Sequence, residues 1–491
     1  MDYILTFDQG TSSSRAILFD KNAEVVAMSQ REIKQFYPAK NLVEQDATEI
    51  YESQIACARD VMKRTGIGAK NIAAIGITNQ RETTILWDKE TGEPVYKAIV
   101  WQDKRTHAFC KLLRETHSAT VGNKTGLIID SYFSATKIRW ILDKVEGLRK
   151  KAEQGRILFG TVDSWLVWKL TAGKLHITDV SNASRTMLFN INTLEWDKDL
   201  LRLFDIPAAM LPEVVDTSAI YGTTAPDIFD GEIALGALVG DQQAALFGQL
   251  AVKEGMMKNT FGTGCFMLMN TGEKPRFSTH RLLTTVAWRF GGKTNYALEG
   301  NIFIAGAAVK WLRDNLHLIE NTAQSEEYAL GLKDSGGIFV IPALAGLGAP
   351  YWSEKVNGAI FGLTLDSTKE HIVRATLESL AFRSKDLVKL MKKDSGIKVS
   401  SLAVDGGASA NNFLMQYLAD LLNVKVIRPA MVETTALGAA YFAGIASGLW
   451  TMDDLLKMKR DERIFYPSQE RKSTKKQYKK WKKIVRKMLK G

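Results

Sequence analysis

Cysteine is scarce in this 491-residue chain: only Cys57, Cys110 and Cys265 occur, an odd number without metal-like spacing. That excludes a disulfide scaffold or a thiolate zinc site and points to reduced thiols in a cytoplasmic compartment. No apolar run is long enough to span a membrane, and Asp2 and Asp8 interrupt the start where a signal peptide needs an apolar stretch. Neither stable membrane insertion nor export is therefore expected. Three familiar nucleotide signatures are also missing. Gly292-Lys293-Thr294 lacks the upstream glycine of a Walker A loop, since position 287 is Ala287. Gly262-Thr263-Gly264 runs into Cys265 and Phe266 instead of a third glycine, so the dinucleotide fingerprint fails. The glycine loop, lysine and HRD set of protein kinases is absent.

Acidic residues are absent from 471–490, where eleven Lys or Arg occur. The whole chain has 65 basic and 54 acidic side chains, so this tail holds the entire excess. A general basic face, and with it nucleic-acid binding, is not expected. The tail also carries Tyr478, Trp481, Ile484, Val485, Met488 and Leu489 at roughly helical spacing. The simplest reading is a terminal helix docked by that stripe with its basic face in water. A membrane-surface or nucleic-acid contact is the alternative.

What the chain does have is a recurring turn. Residues 4–20 read ILTFDQGTSSSRAILFD, two apolar strands around a turn of small hydroxyl residues. Gly10 permits close backbone approach, Thr11, Ser12, Ser13 and Ser14 add hydroxyls, and Arg15 adds a fixed positive charge. With Asp8 as a carboxylate suited to Mg²⁺, these describe a nucleotide triphosphate site. A strand, Gly-Thr turn and strand return at 257–271, MKNTFGTGCFMLMNT, which implies two similar halves with one phosphate turn each. A third glycine loop, VDGGASANN at 404–412, lies between a strand and a helical stretch, an arrangement that binds anions at the helix start.

Strands and helices alternate elsewhere, which predicts α/β architecture. No low-complexity linker separates the halves, so the boundary is placed near residue 250, giving 1–250 and 251–491 with a ligand cleft between them. The small-residue stretch 434–449, TTALGAAYFAGIASGL, predicts a closely packing helix. Polar residues at strand ends supply further candidates. Arg81 and Glu82 follow the strand IAAIGIT and can donate to one hydroxyl of a polyol while accepting from another, or form a local surface ion pair. Asp241 follows ALVG at a helix start beside Gln242; it reads as a helix cap or as a general base. Trp101 offers an aromatic wall or core packing.

Taken together, DQGTSSSRA, ITNQRETT, VWQDKRT, IDSYFSATKIRW, GDQQAALFGQ, NTFGTGCFMLMNTGE, GLGAPYW and VDGGASANNFLMQ resemble, in order and nearly end to end, the FGGY carbohydrate kinase family. TNQRETT with GDQQAALFGQ is similar to its glycerol-phosphorylating branch. The resemblance implies two actin-like, ribonuclease H-like ATPase domains, with ATP and glycerol meeting in the interdomain cleft. Carried over by position, Arg81, Glu82, Tyr132, Asp241 and Gln242 would bind glycerol's hydroxyls, with Trp101 and Phe266 against its carbons. Thr11, Ser12, Ser13, Arg15 and Thr263 would contact phosphates, and Gly306, Gly407 and Asn411 would line the nucleotide site. Asp8 and Asp241 would lie near Mg²⁺, with Asp241 as the base. A homodimer or homotetramer is implied in the same way. The chain departs from the family at Lys310, where Gln is frequent. Its loop 223–237 and basic tail also differ from segments through which some relatives are inhibited. A kinase for another polyol or ketose, and an actin-like ATPase without an acceptor, are the competing readings.

Overall fold

Strand side chains alternate between two faces, and in the first strands both faces are apolar. β1 (Tyr3–Gln9) sends Leu5 and Phe7 into one core and Ile4 into another, and β2 (Ser13–Asp20) divides Ala16 and Leu18 from Ile17 and Phe19 in the same way. A sheet built from such strands must be covered on both sides. The computed structural model describes residues 2–351, 353, 355–431, 433–458, 461–468 and 471–490. Trp352, the last residue of GLGAPYW, lies outside the described residues.

The first large sheet adds β3 (Val25–Glu32), β4 (Ile72–Asn79), β5 (Ser218–Thr223) and β6 (Ala234–Gly240) in the order β5-β6-β4-β1-β2-β3. β1, β2 and β3 form an antiparallel meander, whereas β4 and β6 run parallel to β1. α1 (Ala47–Thr65), capped by Asp46 and closed by left-handed Gly66, helps cover one face. α2 (Asp241–Gly248) leaves the end of β6.

The second large sheet repeats the scheme with β7 (Met256–Phe261), β8 (Cys265–Gly272), β9 (Leu283–Phe290), β10 (Lys293–Ile302), β11 (Ser401–Asp405), β12 (Lys425–Pro429) and β13 (Asp461–Phe465). Its order is β9-β10-β8-β7-β11-β12-β13, again an antiparallel meander from the hairpin on one side and, on the other, β11 and β12 parallel to β7 with β13 antiparallel at the edge. The two similar halves expected from the repeated turn are present as two sheets of matching topology.

Helices α3 (Lys369–Ser395) and α4 (Asn412–Leu422) pack on the second sheet. α5 (Thr434–Ala446) belongs to the second half in sequence, yet Ala436, Ala439, Ala440 and Ala443 cover Ile4, Ile17 and Val239 of the first sheet. It crosses α2 closely enough that a Cβ on Gly438 would lie 1.9 Å from the Ala244 carbonyl oxygen, and one on Gly248 would lie 2.0 Å from that of Thr434. Only glycine permits such backbone contact. The small-residue helix thus packs as its composition predicts, but across the halves.

α6 (Arg471–Met488) is the docked basic tail. Trp481 and Val485 are fully buried, and Trp481 Nε1 donates to the Val340 carbonyl at 2.9 Å. Tyr478 Oη and Lys482 Nζ both donate to buried Asp386, at 2.6 and 2.5 Å. Trp481→Ala is therefore expected to lower unfolding free energy by about 3–5 kcal/mol, read as a shift of the urea midpoint. A shift below ~1 kcal/mol would mean the tail is not part of the core. Among the described residues no helix is long and apolar enough to cross a membrane.

Candidate functional site

Carboxylates at strand ends mark the cleft. Asp8 is the next-to-last residue of β1, Asp405 closes β11, and Asp241 follows β6 as the first residue of α2. Asp8 and Asp405, with Arg15, Thr260, Gly407 and Glu433, line a cleft of about 550 Å³. Gly406, at φ 80°, brings the third glycine loop against the end of β7; a Cβ there would lie 2.5 Å from the Phe261 carbonyl oxygen. The second hairpin and the third glycine loop thus form one wall of the cleft. On the other wall Arg15 donates to Glu433 at 2.6 Å and stands 4.0 Å from Asp8. Burial, opposed by Arg15 and reinforced by Glu433 and Asp241, pushes the Asp8 carboxyl up to about 6.

The turn residues divide between surface and interior. Gly10 N–H bonds the Ser13 carbonyl at 2.9 Å, which closes the first turn, and Ser12 is exposed at its tip. Thr11 Oγ1 accepts from Trp101 Nε1 at 2.9 Å, so the turn reaches the aromatic residues. In the second turn Thr263 is exposed, and its carbonyl accepts from Ala305 and Ala307 N–H at the start of the helix Gly306–Asp314. Lys310 is an exposed residue of that helix. Asn411 is the N-cap of α4: its side-chain oxygen accepts from Leu414 N–H at 2.9 Å and its amide donates to Ser325.

Beside the first hairpin turn lies a second group. Trp101 packs edge-on against Tyr132 and against Phe266, with ring centroids 5.6 and 6.4 Å apart; Phe266 comes from β8, so the aromatic cluster spans both halves. Burial pushes the Tyr132 phenol well up, which keeps its O–H at neutral pH. Arg81 and Glu82 are almost fully buried, not a surface pair. Their direct separation is 3.9 Å, and each has a better partner elsewhere. Arg81 makes a bidentate pair with Glu299 at 2.6 and 3.2 Å, and Glu82 accepts from Arg185 Nε at 2.6 Å. Glu82 also has φ 63°, with Thr83 N–H bonded to the Arg81 carbonyl at 2.8 Å around it. A non-glycine residue held in this strained γ-turn turns neighbouring side chains into one site.

Asp241 is not the helix cap; Gly240 occupies that position. Its carboxylate accepts from the Gln242 N–H at 2.7 Å and stands 3.1 Å from Arg81 Nε, partly open to solvent. Gln242 is held by Lys258, a fully buried lysine whose Nζ also donates to Thr260 Oγ1 at 2.9 Å. Burial pulls the Lys258 ammonium down to about 8 despite Asp405 and Asp241 nearby. Sequence reasoning missed Arg185, Lys258, Glu299, Asp405 and Glu433. The available signal was a charge inside an otherwise apolar strand, as in MMKNTF and NYALEGNI, or at a strand end, as in SLAVD.

Two halves of matching sheet topology flank a cleft lined by carboxylates and a glycine loop, the actin-like, ribonuclease H-like ATPase architecture. The N-terminal domain profile of the FGGY family of carbohydrate kinases matches residues 3–248, and the C-terminal domain profile matches 257–447. The chain belongs to that family. It is 55% identical over 490 residues to a glycerol kinase of Thermoanaerobacter sp. (strain X514), covering 99% of both chains. It is 56% identical to glycerol kinase 2 of Thermotoga maritima, covering 100% of this chain and 99% of that one. Plasmodium falciparum glycerol kinase, solved with ADP, superposes with a TM-score of 0.95 at 34% identity, over 100% of this chain and 98% of that one.

Proposed function

We propose that the chain is a cytoplasmic glycerol kinase, transferring the γ-phosphoryl group of ATP to a terminal hydroxyl of glycerol to give sn-glycerol 3-phosphate. The observation that carries this is the group Arg81, Glu82, Tyr132, Asp241 and Gln242, with Trp101 and Phe266, set beside the phosphate turns where the halves meet. It offers donors and acceptors for hydroxyls and an aromatic wall for a carbon chain. The full-length likeness to chains named glycerol kinase supports the same substrate.

In this reading Asp241 takes the proton of the attacking hydroxyl, and Arg81 Nε orients its carboxylate. Arg81, Glu82 and Tyr132 fix two hydroxyls, so that one terminal oxygen faces the nucleotide. Thr11, Ser12, Ser13, Arg15 and Thr263 hold phosphate oxygens, and Gly306, Gly407 and Asn411 line the nucleotide. The backbone of the two turns and the Arg15 charge stabilise negative charge on the transferring group. Among the described residues no three His, Cys, Asp or Glu side chains converge as a metal cage. Mg²⁺ needs none, since it is commonly held by one or two carboxylates together with substrate phosphates. Asp8, costly to ionise alone and close enough for Asp241 to raise it further, fits that role with Asp241. Bound there, Mg²⁺ would supply charge neutralisation at the β- and γ-phosphates.

ADP release, measured with ATP and Mg²⁺ and no acceptor, glycerol, dihydroxyacetone, xylulose or gluconate, tests the assignment. Glycerol is expected to raise the rate at least about 100-fold over no acceptor. Equal rates with and without acceptors would leave an ATPase, and a preference for xylulose or gluconate would keep the chemistry but change the substrate.

A further inference from the structure

Four buried charges tie the acceptor-binding residues to the other half of the molecule. Arg81, Glu82 and Arg185 come from the first half and Glu299 comes from β10 of the second. Glu299 is fully buried and accepts from both guanidinium groups: bidentate from Arg81, and from Arg185 Nη2 at 3.0 Å. Arg185 passes the restraint on to Glu82, the strained residue. Burial alone would raise the Glu299 carboxyl, but Arg185 and Arg81 hold it down at about 2, so it remains a carboxylate at any working pH. One donor, Arg185 Nη1, is buried without an acceptor among the described residues. A network serving only stability gains nothing from an unmatched donor.

The second link runs along the sheet. Glu299 faces Leu268 of β8 in the register, and Phe266 of the aromatic wall faces Asn301 two residues further on. The strand that holds the Arg81 guanidinium therefore also borders the strand that begins at the Gly-Thr phosphate turn. We infer that Glu299 is the positioning residue of the acceptor site, holding Arg81 directly and Glu82 through Arg185, so that acceptor recognition depends on contact between the halves. Glu299 acts in this way only if Arg81 and Glu82 bind the acceptor as proposed above.

Steady-state kinetics with glycerol or ATP varied, on wild type, Glu299→Gln and the double variant Arg185→Gln/Glu299→Gln, test it. The single variant leaves two buried guanidinium groups with one carboxylate between them, so its fold is at risk. The double variant removes one charge of each sign and keeps the site neutral. Both are expected to raise glycerol KM about 10- to 100-fold, with kcat within about tenfold and ATP KM within about threefold. The double variant should recover most of any loss in melting temperature without recovering glycerol KM. A well-folded double variant with wild-type glycerol KM would reduce Glu299 to charge balance and overturn the inference, as would a double variant that does not fold. A wild-type enzyme whose ADP release ignores glycerol overturns the functional assignment itself, and this inference with it.

Discussion

Replacing Asp241 with asparagine is expected to lower kcat by about 10²–10⁴-fold, the usual worth of a positioned general base, while glycerol KM changes little. The fold gives no reason for collateral damage. Asp241 does not cap α2, and its one backbone hydrogen bond, from Gln242 N–H, is equally available to an asparagine oxygen. Arg81 loses one of its anionic neighbours but keeps the bidentate Glu299 pair. The variant should thus unfold at nearly the wild-type temperature and bind nucleotide normally. A kcat within threefold of wild type would remove Asp241 as the base and leave the Arg81 contact as its only role.

Asp8→Asn is expected to separate activity from stability in opposite directions. The carboxyl of Asp8 is raised from 3.8 to about 6 in the folded protein. The folded state therefore binds this proton more tightly than the unfolded chain. Its ionisation costs nothing below about pH 3.8 and its full amount above about pH 6, at most ~3 kcal/mol before relaxation. Asparagine removes that cost. Arg15 retains its 2.6 Å contact with Glu433, so no buried cation is orphaned. The variant should melt higher than wild type at pH 8, converge with it near pH 4, and turn over at least about 100-fold more slowly for want of an anionic group beside the phosphates. Lower stability at pH 8 with undiminished turnover would show that Asp8 is an ordinary structural carboxylate.

These two carboxylates were legible in the sequence because their signal is local. Each ends an apolar strand beside a turn or helix start, and strand, turn and charge fall within a dozen residues. The two hairpin turns and the third glycine loop were readable for the same reason, as was the docked tail, whose apolar stripe is periodic. The buried group around Arg81 and Glu82 was only half legible. Arg81 and Glu82 are adjacent, which reads as a pair, yet their strong partners are Glu299 and Arg185, chosen by long-range folding that no local window contains. Asn411 carries a role that its place after a glycine loop does not announce: its side-chain oxygen caps α4 through the Leu414 N–H. Lys258 was not singled out at all: it is one charge inside an apolar strand, and the sheet buries it against Gln242.

The crossing of α5 over the first sheet bears on how the chain is made. On the ribosome the strands of that sheet are all available once Gly240 has emerged, but the helix that seals Ile4, Ile17 and Val239 begins only at Thr434. At ~5–20 residues per second, one apolar face waits on the order of ten seconds or more before its cover exists. The first half therefore cannot finish as an independent unit during synthesis. The nascent chain stays vulnerable to aggregation until almost its full length is out, and a chaperone occupying that face would be displaced by the protein's own late helix.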